Sequence, residues 1–282
     1  MKLQTFDMRW HISGKCFDKC GYCYGHLTDK KKHRQITPTR LTKAQHFEIQ
    51  EQLKETAAGI RYSGGEPLYI PELPELMADA KNAGIKTSLI TTGMTDEKNS
   101  VVIDRLISVL NYTDEIAVPF ESLDDDLNFE IRKNRDHRIN VLYALDLADR
   151  KGVKEKSVNT CVHKKNIHKL LELGGTMNQL ARMGLVDNWR LRMFYPIAGR
   201  GRKNSKEYEI SRAEFDHIAN ILVQMCPNIN VQILAQEDFQ KHFMISQHAD
   251  VFRSKGNENI FVGNILKEGL DLRYLAKEQG IL

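Results

Sequence analysis

Hydrophobic positions along the chain switch between two spacings, short apolar runs bounded by glycine and longer stretches with apolar residues three and four apart. Leu3 to Ile12 reads as a strand, and Ser13 to Thr37 follow as a long polar loop. Helical spacing over 42–57 leads into a short buried strand over 59–63 that ends at Gly64-Gly65. The alternation continues with helices over 71–83, 98–110, 127–151 and 166–183 and strands over 85–91, 115–120, 156–162 and 189–195. Gly84 and Gly152 stand where the first and third of these helices stop. Six successive βα units predict right-handed crossovers and a parallel sheet. The expected fold class is α/β, a partial (β/α)6 barrel of parallel strands with a small C-terminal α+β appendage.

The rhythm breaks at the basic, glycine-containing stretch Gly199-Arg-Gly-Arg-Lys-Asn204. Beyond it the spacing predicts a helix over 211–224, short strands over 231–234, 243–245 and 259–262, and a terminal helix over 270–278. Two domains are expected, 1–204 as the barrel and 205–282 as the appendage.

Composition narrows the class. In 282 residues, 41% are hydrophobic and 28% charged, with 18 Gly and 7 Pro, which excludes fibrous and wholly disordered readings. No apolar run approaches the roughly 20 residues that cross a bilayer, and the first residues lack a signal-peptide core, so a cytoplasmic protein without a membrane partner is expected. A formal charge of +4 falls short of a dedicated nucleic-acid binder. The run Lys30-Lys-Lys-His-Arg34 reads as a solvated loop, the alternative being a contact with an acidic substrate or partner. Five cysteines, an odd number, argue against a disulfide framework and for metal ligation or chemistry.

Three of those cysteines form Cys16-Phe-Asp-Lys-Cys20-Gly-Tyr-Cys23, on the loop after the first strand. In a parallel βα sheet that loop lies at the carboxyl edge, where ligands bind. Three thiolates there suit either a zinc site completed by His11 or His26, or a [4Fe–4S] cluster with one iron left open. After the second strand comes Tyr62-Ser-Gly64-Gly65-Glu66-Pro67, on the same edge. Its glycines permit close approach to the backbone, and its glutamate offers an acceptor for an ammonium group.

Together, the C-x3-C-x2-C with an aromatic residue before its last cysteine and the Gly-Gly-Glu-Pro about forty residues later resemble the radical S-adenosylmethionine (SAM) superfamily, over roughly residues 3–200. The resemblance implies that Cys16, Cys20 and Cys23 ligate three irons of a [4Fe–4S] cluster. SAM's methionine moiety would chelate the fourth iron, and Tyr22 would lie beside the adenine. By the same resemblance Gly64, Gly65 and Glu66 form the methionine-amine site, with Glu66 or nearby carbonyls accepting from the ammonium. Thr92, in Thr91-Thr92-Gly93, stands where relatives have an asparagine and would reach the ribose, the alternative being a strand-ending turn. Ser122 and Arg132 match a serine leading into Leu-Asp and an arginine that pairs with the SAM carboxylate, although a lone helix arginine is often simply solvated. Asn159 would reach the ribose and Ile167 would cover the adenine.

Trp189 to Gly199 resembles the sixth strand of relatives that modify peptides or small metabolites. Within it Arg190 and Arg192 alternate with Leu191 and Met193, which points two guanidiniums into the barrel. Buried arginines need an anionic partner, either a substrate carboxylate or phosphate or an internal Asp or Glu. Cys161 is a candidate hydrogen donor to a substrate radical, the plainer reading being a buried apolar side chain, and Cys226 reads as structural. The segment 254–266, with Gly263-Asn264-Ile265, resembles the end of the auxiliary-cluster (SPASM or twitch-type) domains of peptide-modifying relatives, yet no cysteine follows Cys226. No leader-peptide-binding domain is expected ahead of the first strand.

The resulting expectation is a radical SAM enzyme in which a [4Fe–4S] cluster reductively cleaves SAM to a 5′-deoxyadenosyl radical that abstracts hydrogen from a peptide or small-molecule substrate. Its electrons would come from a flavodoxin or ferredoxin. The alternative within the class is a viperin-like reaction on a nucleotide. The alternative of another class is a zinc-binding nucleic-acid module, which leaves Gly-Gly-Glu-Pro unexplained.

Overall fold

A computed structural model describes residues 6–24, 41–93, 100–196, 199–235, 243–255, 258–267, 270–272 and 274. The first six strands are β1 (Phe6–Ser13), β2 (Ala57–Gly64), β3 (Lys86–Ile90), β4 (Glu115–Pro119), β5 (Glu155–Val162) and β6 (Asn188–Met193), all parallel to their neighbours in chain order. Between them run α1 (Lys43–Thr56), α2 (Leu73–Asn82), α3 (Ser100–Leu110), α4 (Asp125–Arg132), α5 (His137–Arg150) and α6 (Leu170–Arg182). Then follow α7 (Gly199–Lys203), α8 (Ser205–Tyr208), α9 (Arg212–Met225), and strands β7 (Asn230–Leu234), β8 (Phe243–Ile245), β9 (Asp250–Lys255) and β10 (Glu258–Asn264).

The sequence expectation of strands and helices in alternation is met, with two informative differences. The single helix expected over 127–151 is two, because Lys133 adopts a left-handed conformation with φ 62° after α4. The last carbonyls of α4 have partners outside the helix: Arg132 O accepts from Lys19 N and Ile131 O from Gly21 N, both at 2.9 Å. A helix terminus leaves such carbonyls open, and here the cysteine loop takes them. The second difference lies in the C-terminal strands. β7 extends the parallel series beside β6, β8 pairs in parallel with β1, and an unforeseen β9 joins β8 to β10 in antiparallel fashion, giving one ten-stranded sheet. The expected terminal helix lies largely outside the described residues.

Local chemistry sets the helix starts. Thr42 and Gln45 form a reciprocal capping box ahead of α1, as do Ser211 and Glu214 ahead of α9. The core lies between the helices and one face of the strands. Trp10, Ile60, Tyr62, Leu89, Val118, Val158, Trp189 and Leu191 are fully buried there. The alternate residues make the other face polar, with Arg9, Arg61, Ser88, Glu115, Ser157, Asn159, Arg190 and Arg192. In a flat sheet β1 and β6 would stand five strands, about 24 Å, apart. Arg9 and Arg61 nevertheless act electrostatically on Arg192, so the sheet curls around its polar face. Among the described residues its two edge strands, β10 and β7, are not paired with each other.

Candidate active site

The cysteine loop is fixed by backbone bonds on three sides. Lys15 O accepts from Glu66 N (2.6 Å) and Ser13 O from Gly65 N (2.8 Å), which joins the loop to the turn after β2. The glycines are needed for this approach. A Cβ on Gly65 would stand 2.0 Å from Lys15 O, and one on Gly64, whose φ is +130°, 2.5 Å from Ser13 O. On the second side lies the end of α4. On the third, Gly201 N of α7 donates to Cys23 O (2.8 Å), Asn204 Nδ2 to Gly21 O (3.1 Å), and the Tyr208 ring covers Gly21 so closely that any side chain there would collide with it. The basic glycine stretch that the sequence presented as an interruption is thus a clamp on the cysteine loop.

Within this frame the three thiols carry no disulfide; Cys16 is exposed, Cys20 buried and Cys23 half-buried. Burial pushes the Cys20 thiol above its ordinary value, so its thiolate is favoured only with a cation to bind. No group of three His, Cys, Asp or Glu side chains among the described residues could hold a metal ion. A cubane does not ask for convergence on one ion, since each thiolate takes a different iron. The donor set, three thiols on a loop pre-formed by its own backbone, fits that group. His26 and the Lys30–Arg34 run lie outside the described residues.

Asp18, inside the cysteine motif, meets Arg132 from α4. Arg132 is 3% exposed and donates to Asp18 Oδ2 from Nε (2.9 Å) and Nη2 (2.5 Å), to Glu121 Oε2 (2.8 Å) and to the Tyr22 hydroxyl (2.5 Å). Burial pushes the Glu121 carboxyl up, but Arg132 and then His137 outweigh it and hold it at about 2. Arg132, expected to meet a SAM carboxylate, is therefore clasped by two internal ones.

Glu66 is fully buried, and its four acceptor positions are taken by Leu68 N, Thr91 Oγ1, Thr92 N and Thr92 Oγ1, at 2.7–3.1 Å. It ties the turn after β2 to the end of β3, and burial raises its carboxyl despite these bonds. Thr92 is engaged in that strut. Ser122 is buried, its hydroxyl accepting from Asp124 N (3.1 Å) ahead of α4. Asn159 and Cys161 lie on the polar face of β5, in register with Arg190 and Arg192, and Asn159 Oδ1 stands 3.4 Å from Arg192 Nε. Ile167, in a short 3-10 turn, packs against the core. Arg190 meets Glu115 (2.6 Å), Glu155 (3.4 Å) and Gln232 (3.1 Å), which is the internal-carboxylate outcome.

Several residues here were not singled out by their sequence. His163 is fully buried with neither ring nitrogen hydrogen-bonded, its ring 5.1 Å from Tyr22 and 4.9 Å from Tyr208; burial lowers it to about 4. Asn166 bonds the carbonyls of Cys161 and Glu121. Asp18 was legible as a polar residue within the cysteine motif, whereas His163 and Asn166 gave no pattern. A cleft of about 440 Å³ between Gly84, Lys86 and Lys154 opens at the opposite, amino edge of the sheet.

The family model of the radical SAM superfamily matches residues 10–174. The chain belongs to the radical SAM superfamily. A curated S-adenosylmethionine-dependent nucleotide dehydratase from Flammeovirga pacifica is 26% identical to this radical SAM chain over 220 residues, 76% of this chain and 71% of that protein. A protein of the same name from Lacinutrix mariniflava is 25% identical over 220 residues, 74% of this chain but only 42% of its own length. Among solved structures, Streptococcus suis SuiB bound to S-adenosylmethionine superposes with a TM-score of 0.66 at 17% identity, covering 96% of this chain and 65% of SuiB. That likeness shows the fold. The C-terminal extension resembles that of SPASM-type radical SAM enzymes, without a clustered cysteine motif. No helix among the described residues is long and apolar enough to cross a membrane.

Proposed function

We propose that this enzyme generates a 5′-deoxyadenosyl radical from SAM and uses it on a nucleotide, in a dehydration of the kind for which its relatives are named. The observation that carries the reading is that shared name at 25–26% identity over 220 residues. A polar interior lined by arginines supports it. The peptide reading rested on the C-terminal resemblance, and the likeness to SuiB, at 17% identity, speaks for the fold alone.

In this reading the curled sheet is a partial (β/α)6 barrel over 1–204, and 205–282 is an appendage without its own cluster. Cys16, Cys20 and Cys23 would hold the [4Fe–4S] cluster, which when bound supplies the electron that cleaves SAM. Tyr22, Gly64, Gly65, Thr92, Ser122, Asn159 and Ile167 line the proposed SAM site. Glu66 and Arg132 act there as struts: with their polar atoms engaged internally, nearby backbone carbonyls receive the ammonium. His163, kept neutral, packs Tyr22 in place. Cys161 stays a candidate hydrogen donor, and a flavodoxin or ferredoxin would supply the electrons.

Anaerobic reconstitution with iron and sulfide, reduction with SAM, and chromatography for 5′-deoxyadenosine test the reading. Nucleotides should raise its production above the substrate-free rate, peptides should not, and Cys20→Ala should abolish it. Zinc uptake without iron would sink the assignment.

A further inference from the structure

Charge is balanced differently at the two edges of the sheet. At the amino edge lysines stand against carboxylates: Lys81 and Lys154 meet Asp114, Lys86 meets Glu155 (3.3 Å), and Lys156 meets Asp149 (3.2 Å) and Asp187 (3.8 Å).

Around the cysteine loop the cations stand alone. Lys15 and Lys19 of the loop, Lys133 at the end of α4, and Arg200, Arg202, Lys203 and Lys206 of α7 and α8 are all exposed, and none enters an ion pair among the described residues. The carboxylates close by are mostly spent: Asp18 on Arg132, Asp126 on Arg135, Glu130 and Glu207 on Lys165, and Asp124 on Lys169. Asp136 and Glu209 are exposed and set two negative charges against those seven positive ones.

The cations belong to the segments that hold the loop. Lys19 N donates to Arg132 O, beside Lys133. Gly201 N, between Arg200 and Arg202, donates to Cys23 O. Asn204, directly after Lys203, donates to Gly21 O, and Tyr208, two residues beyond Lys206, covers Gly21. The surplus therefore lies within a few residues of the thiols. It is spread over three separate segments instead of converging on one point, which suits a broad acidic surface better than a small anion.

We propose that this basic rim is the docking surface of an acidic one-electron carrier protein of the flavodoxin kind. This rests on the radical SAM reading above and names where its electron enters. Electron transfer weakens steeply with distance, so a carrier has to dock beside the thiols, where the surplus stands. One electron moves: the anionic flavin hydroquinone becomes the neutral semiquinone and the [4Fe–4S] cluster is reduced, with no bond made or broken and no proton transferred. A nucleic acid is the weaker fit, because the chain as a whole carries a formal charge of only +4.

The test begins with binding, by calorimetric titration of the reconstituted enzyme with a flavodoxin carrying oxidised FMN. Affinity should fall about tenfold or more between roughly 0.05 and 0.5 M salt. The double variant Lys203→Glu, Lys206→Glu should weaken it by about tenfold or more, and Lys203→Gln, Lys206→Gln by less. Formation of 5′-deoxyadenosine driven by subsaturating reduced flavodoxin should fall in step, while formation driven by excess dithionite stays within about twofold. Should the charge reversal prevent folding or cluster assembly, the glutamine variant and the salt series on the unaltered enzyme decide. No detectable flavodoxin binding, or binding undiminished in the double variants, overturns the inference and leaves the radical SAM reading standing. So does a single-stranded oligonucleotide bound more tightly than flavodoxin at the same salt. No 5′-deoxyadenosine with either reductant overturns the radical SAM reading itself.

Discussion

Arg132 and Arg9 both send a guanidinium into the interior, and they differ in what meets it. Arg132 is enclosed by Asp18, Glu121 and Tyr22, groups from the cysteine loop and the end of β4. Arg9 has a buried Nε without a partner and a tyrosine and two arginines as its main neighbours. The first arrangement spends its charge on holding the loop that carries the thiols. The second leaves charge facing the interior. The same side chain is a strut where carboxylates are built around it, and keeps a buried Nε without a partner where a tyrosine and arginines stand instead.

The sharpest way to break the contrast is Arg132→Met. It leaves Asp18 and Glu121 buried without their cation, and the expected cost is about 3–5 kcal/mol in chemical denaturation, with iron uptake reduced because α4 no longer anchors the loop. A loss under 1 kcal/mol would show that Arg132 is no strut.

Acid titration gives the next largest effect. His163 has a folded value of about 4 against an ordinary 6.5, so the unfolded chain takes up the proton first and stability falls as pH drops from 6.5 toward 4. The loss should approach about 3 kcal/mol and be blunted in His163→Phe. Glu121, with a folded value of about 2 against 4.5, contributes stability that is complete above pH 4.5 and lost as pH falls toward 2. Melting curves of both proteins from pH 8 to 3 separate the two windows.

Gly65→Ala tests the anchoring of the loop on its other side. With the added carbon 2.0 Å from Lys15 O, the strand ends must part. We expect a cost of about 1–3 kcal/mol and a lower iron-to-protein ratio on reconstitution. The smallest effect is expected for Arg9→Gln. Removing a guanidinium that has no ion pair among the described residues should change stability by less than about 1 kcal/mol. If it destabilises as Arg132→Met does, the two arginines are alike and the contrast is lost.

What the sequence determined is what short-range physics sets. Periods of two and of three to four, caps at Thr42 and Ser211, and glycines at helix ends gave six βα units near their true bounds. The cysteine spacing and Gly-Gly-Glu-Pro placed a reactive loop at the carboxyl edge, because in a parallel sheet every strand ends on the same side. Tertiary structure decided where the charges balance. That Glu66 is spent on Thr91 and Thr92 at the end of the neighbouring strand, that Arg132 meets Asp18 more than a hundred residues away, and that Arg190 reaches Glu115 two strands over while Arg9 has an unmet donor all depend on how separate segments are brought together in space. Alternation along a strand tells which face a side chain takes; only closure of distance across the sheet tells what stands opposite it.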